Sequence, residues 1–256
     1  MSVFPVNGIT MNDVINTFVT HRSERSYLDK AIPEDILTNI IESAYHAPTS
    51  VHSQQISLIV TRDKATKEKL AALCGGQPWI AQAPVFITFV IDLHKSAEGI
   101  KLTGEQQIAH ESIESIVSGS LDAGIALGTA MAAARAQGLG IVPIGGLRRD
   151  PQAVAELLNL PPLTFPVNGL VLGYVDEPAE LKPRLPMATF RHEERYSSEN
   201  LLENIQAHNQ QLTDHWQAIG RDGGEDWSHT VANYYKNIYF PAVRPALLKQ
   251  GFGIDK

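Results

Sequence analysis

Several short stretches carry side chains able to grip an anion or a polar ring. His21-Arg22-Ser23-Glu24-Arg25 gathers an imidazole, two guanidiniums and a hydroxyl in five residues. Arg22 and Arg25 are three apart and would point the same way on a helical turn. A guanidinium fork donates two parallel hydrogen bonds, which suits phosphate. A solvated charged turn has the same composition. In Glu180-Leu181-Lys182-Pro183-Arg184-Leu185-Pro186 the prolines favour an extended chain, so Lys182 and Arg184 share a side. That is a second candidate anion clamp, or again a solvated loop.

Three further stretches are polar or glycine-rich. Pro48-Thr49-Ser50-Val51-His52-Ser53-Gln54-Gln55 could line a polar heterocycle or a ribityl-like chain, or be plain connection. Gly75-Gly76-Gln77-Pro78-Trp79 sets one amide beside an aromatic ring. In Ile144-Gly145-Gly146-Leu147-Arg148 the glycine pair lets backbone N–H groups approach something flat or charged. Taken alone, that turn reads equally as an ordinary strand-to-helix connection.

The elements that must position these groups are legible in the apolar periodicity. A long helix is expected over Ser112–Gln137, with Asp122 the only charge between Gly119 and Ala134. Its glycines, 119, 124 and 128, each cost roughly 1 kcal/mol in a helix, so close approach by another helix is the expected compensation. The unbroken uncharged run is short of the ~20 residues a bilayer requires, so a membrane span is disfavoured. A helix buried on all sides, by its own chain or at a homodimer interface, is the reading.

Other helices are expected over 11–20 with Asn12 as cap, from Pro33 at the first helical position to Ala47-Pro48, and over Lys64–Leu73. A further helix starts at Asp150-Pro151, and three more lie near 198–218, 227–238 and 242–250. Strands are expected at Ile56–Thr61, Pro84–Ile91, Ile141–Ile144 and Val167–Tyr174. Residues 92–110 read as a polar surface excursion or lid. The Pro84–Ile91 run is apolar throughout, as a strand buried on both faces is.

The chain as a whole excludes some classes. A net charge of −7 without a lysine–arginine block argues against nucleic-acid binding. One cysteine, Cys74, allows no internal disulfide and favours a reducing compartment. Met1–Gly8 shows no basic and no apolar signal region, so a cytoplasmic location is expected. Gly138-Leu139-Gly140 opens like a dinucleotide fingerprint, but Pro143 stands where the third glycine belongs and a helix precedes it. His192-Glu193-Glu194-Arg195 lacks the second histidine of a zinc helix, so no metal site is expected.

Together these motifs resemble the NAD(P)H-dependent, FMN-containing nitroreductase and flavin reductase family, closest to its NADPH-preferring, oxygen-insensitive branch. The resemblance rests on six points in order: His-Arg-Ser-x-Arg, Ala-Pro-Thr-Ser-x-x-Ser-Gln at 47–54, Gly75-Gly76-Gln77, the helix ending in Gly138-Leu139-Gly140, the 144–148 turn, and 181–186. It runs from about Asn12 to Pro186.

The resemblance implies an α+β fold, a central mostly antiparallel sheet flanked by helices, with the long buried helix at a homodimer interface. It implies a single domain over 1–256 whose helical arm, about 190–256, embraces the partner subunit. It assigns His21, Arg22 and Ser23 to the phosphate–ribityl end of FMN, Lys182 and Arg184 to the phosphate, and Arg25 to the pyrimidine edge. Thr49, Ser50 and Ser53 would come from the other subunit. Gln77 would reach the ring, and backbone at Ile144, Gly145 and Gly146 would face it.

No side chain acts as catalytic acid or base on this reading. NADPH or NADH delivers hydride, and nitroaromatics, quinones or free flavin accept electrons. NADPH is favoured, although the 48–52 loop is closer to the NAD(P)H-tolerant branch and only Arg221 stands where a 2′-phosphate contact is expected. The competing reading is a non-catalytic FMN-binding sensor or storage protein.

Overall fold

A computed structural model describes residues 12–254; the expectation for Met1–Gly8 lies outside them. The chain divides into two compact units. The first comprises residues up to Ala179 together with those from Phe240 on, and the second comprises Glu180–Tyr239.

In the first unit, α1 (Asp13–Val19) is capped by the Asn12 side chain, which accepts from the Ile15 N–H. α2 (Glu34–Tyr45) follows, with Pro33 as its cap rather than its first helical residue. β1 (Ile56–Thr61), α3 (Lys64–Leu73) and the single turn α4 (Trp79–Gln82) lead to β2 (Val85–Asp92). α5 (Leu93–Lys101) comes next, within the stretch read as a polar excursion. The sequence reading missed α5 because Gly99 and the polar composition hide it. Its cap is visible in retrospect: Asp92 accepts from the Lys95 N–H. α6 (Ile113–Ala136), β3 (Gly140–Ile144), α7 (Pro151–Leu157) and β4 (Thr164–Gly173) complete the pattern, with Asp150 capping α7 as expected.

The four strands form one antiparallel sheet in the order β1-β2-β4-β3. Side chains alternate across it, and each face is covered by helices. Val85, Ile87 and Phe89 join Leu37 and Ile40 of α2 and Ala126, Ala130 and Ala134 of α6 on one face. Phe86, on the opposite side of β2, joins Leu70, Ile80, Ile144, Leu147 and Val154. Burial on both faces explains the unbroken apolar run of β2.

α6 is long and apolar enough to cross a membrane by length and composition. Within the chain it instead packs one face against α2 and the sheet. The opposite stripe is open: Ile113, Val117, Leu121 and Ile125 are 36–64% exposed. One glycine departs from expectation. Gly119 is needed by a strand rather than a helix, since a Cβ there would lie 2.8 Å from Ile91 Cγ2. Methyl groups added at Gly124 or Gly128 would meet nothing within 4 Å.

The second unit holds α8 (Leu201–Ala218) and α9 (Trp227–Tyr235), joined by Ile219–Asp226 and pinned by Asn209, which bonds Ser228. α10 (Val243–Lys249) belongs to the first unit, where Ala246, Leu247 and Phe252 pack with Ile91, Leu93 and Phe165.

Candidate functional site

His21–Arg25 is neither helix nor strand; it is tied to β3 by the Glu24 N–H, which donates to the Ile141 carbonyl at 2.9 Å. Glu24, the unassigned residue inside the motif, is buried, and its carboxylate accepts from the Ala179 N–H at 2.8 Å. Arg22 Nη1 donates to the Ala179 carbonyl at 3.0 Å. The motif thereby grips one residue from both sides at the end of the first unit. His21 and Ser23 are partly buried, and the Ser23 carbonyl accepts from Arg25 Nη1 at 3.0 Å.

Arg25 also lies 5.3 Å above the Trp79 ring. Trp79 itself was singled out only as the aromatic beside Gln77, yet its indole N–H is buried and has no hydrogen-bond acceptor. Two residues earlier, Gln77 Nε2 donates to the Cys74 carbonyl at 2.8 Å. That amide sits against the glycine turn. A Cβ on Gly146 would lie 2.7 Å from Gln77 Nε2 and 2.6 Å from the Cys74 carbonyl oxygen. Only glycine admits this approach. Ile144 is buried and anchors the turn in the core, while Gly145 and Gly146 reach the surface in a 3-10 turn, Gly145–Arg149. Gln77 thus packs on Gly146, and two residues on Trp79 carries Arg25.

Burial pushes the Cys74 thiol up to about 12, with Arg149 opposing the shift. At neutral pH it is a packing group, not a nucleophile. Burial likewise drives the Tyr27 hydroxyl far up, aided by Glu24.

The 47–54 loop is built elsewhere on the unit. The Ser50 N–H donates to both Asp122 oxygens at 3.1 Å, and Gln55 Nε2 donates to the same buried carboxylate at 2.8 Å. Thr49 Oγ1 accepts from the Gln54 N–H at 3.0 Å. Val51, His52 and Gln54 have φ of 46°, 56° and 51°. Left-handed backbone is rare for non-glycine residues, and for a β-branched valine it is a real strain that points to function. Ser53 Oγ is buried without a partner. A cavity of about 600 Å³ opens beside the loop, lined among others by Tyr45, Thr49, His52, Gln54 and Lys95.

Loop and arginine cluster stand at different levels of α6. Asp122 holds the loop, while Arg135 Nη2 donates to Thr20 Oγ1 at 3.1 Å, next to His21. At 1.5 Å per residue those two levels are ~20 Å apart.

Lys182 and Arg184 belong to the second unit, in a stretch without helix or strand, and both are exposed. Lys182 Nζ lies 5.4 Å above the Trp216 ring, which also carries Arg221 at 4.6 Å. Among the described residues no group of three or more His, Cys, Asp or Glu could hold a metal.

The donors beside the glycine turn suit a flat anionic cofactor: a guanidinium over Trp79, an amide against a glycine cradle and an orphaned indole N–H. Comparison with known proteins agrees. The chain matches the Nitroreductase family over residues 19–174 and the Nitroreductase family, C-terminal domain, over 182–255. It is 42% identical over 251 residues to a Bacillus subtilis (strain 168) FMN reductase acting with NAD(P)H, covering 96% of this chain and 100% of that one. NfrA2 of B. megaterium superposes with a TM-score of 0.93 at 42% identity, covering 96% of this chain and 100% of that one. The Vibrio harveyi NADPH:FMN oxidoreductase, solved with NAD+, gives 0.85 at 30% identity and covers 94% and 99%. On matched length, identity and superposition alike, the chain belongs to the nitroreductase family.

Proposed function

We propose that this protein is an NAD(P)H-dependent oxidoreductase that holds FMN and reduces small acceptors in a ping-pong cycle. The carrying observation is the close approach of Gln77 to Gly146, where a Cβ would fill the space, with Arg25 over Trp79 two residues on from Gln77. Bound FMN supplies the redox chemistry, taking hydride from the nicotinamide and giving two electrons to an acceptor. This chain's residues bind and tune. The Arg25 guanidinium faces the pyrimidine edge and stabilises negative charge there. Gln77 Nε2 and the N–H groups at Gly145 and Gly146 orient the ring, with Ile144 fixing their height. His21, Arg22 and Ser23 hold the ribityl–phosphate end, and Lys182 with Arg184 neutralises the phosphate.

A homodimer completes the site. The open stripe Ile113, Val117, Leu121, Ile125 supports this, as does the ~20 Å along α6 that separates loop from arginine cluster within one chain. A partner related by two-fold symmetry presents its Thr49, Ser50 and Ser53 where this chain's own cannot reach. The helical arm, about 190–256, contributes to the embrace, and residues 1–256 act as one catalytic domain. Nicotinamide and acceptor use the same place in turn, so no catalytic acid or base is invoked. NADPH is the favoured donor; nitroaromatics, quinones and free flavin are the acceptors. The location is cytoplasmic.

The test is direct. The purified protein should be yellow, should release FMN on denaturation, and should bleach under anaerobic NADPH. Initial rates against a nitroaromatic at several NADPH concentrations should give parallel double-reciprocal lines. A colourless protein that cannot take up FMN sinks the proposal.

A further inference from the structure

A single buried carboxylate ties both ends of a strained segment in the first unit. Val51, His52 and Gln54 take φ of 46°, 56° and 51°, three left-handed non-glycine residues within four positions. Such backbone costs free energy and persists only where its surroundings hold it. The hold is Asp122 of α6, 3% exposed. Ser50, just before the strained residues, donates its N–H to both Asp122 oxygens at 3.1 Å. Gln55, just after them, donates Nε2 to Asp122 Oδ2 at 2.8 Å. The Gln55 carbonyl accepts from the Asp92 N–H at 2.8 Å, which fixes that end to β2. Packing within the chain does not account for the strain, because the Val51 side chain stands in the open, 93% exposed. Nor does α6 need a carboxylate for its own sake. A buried charge is tolerated only where donors meet it, and an apolar residue would fill the same place without that requirement. The loop's shape therefore points to contacts beyond its own chain.

We infer that Asp122 is a positioning residue that acts across the subunit interface, holding the 49–53 loop of its own chain in the shape that meets the partner's FMN. The inference rests on the reading that Thr49, Ser50 and Ser53 reach FMN across a homodimer. Asp122 works through the Ser50 N–H and the Gln55 amide and needs no contact with the cofactor. The consequence is directional: loss of Asp122 in one chain damages the partner's site and spares its own.

The experiment uses mixed dimers. Two full-length chains with different affinity tags are co-expressed, one carrying Asp122→Asn and the other Arg25→Ala. Dimers bearing both tags are purified, stripped of flavin and titrated with FMN by fluorescence quenching. Asp122→Asn is nearly isosteric and keeps one oxygen for the Ser50 N–H, which protects the fold. Each homodimer should bind FMN about tenfold more weakly than wild type, the scale of one lost charge-assisted bond. The mixed dimer should bind one FMN with wild-type affinity, where the Asp122→Asn chain supplies intact arginines and the Arg25→Ala chain supplies an intact loop. Its other site carries both changes and should be about a hundredfold weaker. Two sites each about tenfold weaker, with none of wild-type affinity, would place the effect within one chain and overturn the inference. A general loss of stability in the Asp122→Asn chain gives that same pattern, so the wild-type site separates positioning from a merely structural role. Wild-type FMN affinity in the Asp122→Asn homodimer, with Ser50→Ala/Ser53→Ala impaired, would overturn the inference and leave the cross-subunit reading intact. Wild-type affinity in Ser50→Ala/Ser53→Ala, or a monomer in sedimentation, would overturn both.

Discussion

The glycines of α6 offer a test that separates a solvent-facing helix from a subunit interface. Gly124 and Gly128 are interior helix positions, and methyl groups there meet nothing in their own chain within 4 Å. If that face met water, Gly124→Ala and Gly128→Ala would each stabilise the helix by about 1 kcal/mol, together about 2 kcal/mol. For a chain of this size that is a rise in Tm of about 4–8 °C. If a second copy packs there, each methyl enters a close-packed seam, where overpacking costs about 1–3 kcal/mol per site, and symmetry repeats each clash in both copies. Association should then weaken by at least about tenfold, which needs only about 1.4 kcal/mol. At a given protein concentration Tm should also lie below that of the wild type, whose own Tm falls on dilution if it is a dimer. Sedimentation velocity across a dilution series, with melts at each concentration, measures both. Gly119→Ala is the internal comparison, because its methyl would strike Ile91 of the same chain and should destabilise at every concentration alike. A doubly substituted protein that is more stable than wild type and associates unchanged would refute the dimer-face reasoning.

Two further predictions follow from buried groups in the first unit. Asp122→Ala removes the acceptor of the Ser50 N–H and of the Gln55 amide, so it should cost about 3 kcal/mol in urea unfolding, bonds to charged groups being worth roughly 1.5–3 each; it should also expose the 47–54 loop to limited proteolysis, and a loop still resistant in a folded variant would contradict the anchoring. Cys74 should not react with a thiol reagent at pH 8 until the protein unfolds. Its folded pKa, about 12, exceeds the ordinary 9.0, so its contribution to stability is intact below pH 9.0 and is lost as pH rises towards 12. Cys74→Ala should flatten the decline in urea midpoint between pH 9 and 11, and an unchanged slope would remove the assignment.

What the sequence disclosed and what it hid divide along physical lines. β2 was legible because burial on two faces leaves an unbroken apolar run, and α7 because Asp150-Pro151 is a cap with its first residue. α5 was hidden because its composition is polar and Gly99 reads as a break, although Leu93, Ala97 and Ile100 recur at helical spacing. The cofactor motifs were recognisable as a set, but the contacts supporting them were not. The grip of Arg22 and Glu24 on Ala179 spans 155 residues and more, and nothing local announces it. Trp79 could have been found: an aromatic in a stretch singled out for its amide is a natural seat for a nearby guanidinium. The strain at Val51 could not, since no residue type there favours positive φ.

Asp122 joins these observations. In the sequence it is the only charge between Gly119 and Ala134, a point against a membrane span. In the fold it is 3% exposed and satisfied by the loop it holds, so the helix tolerates it only because the loop is there. The loop in turn leaves Ser53 Oγ buried and unpartnered, an arrangement that costs free energy within one chain. At the far level of the same helix, Arg135 secures Thr20 and the chain leading into the arginine cluster. α6 thus holds the loop and the chain leading into the arginine cluster at two levels of one helix. On the proposed dimer, an isologous pairing across the open stripe would bring one copy's loop towards the other copy's arginines, once for each cofactor. Apolar residues and bare glycines on that stripe are what such a pairing demands, and they are costly on a face that stays in water.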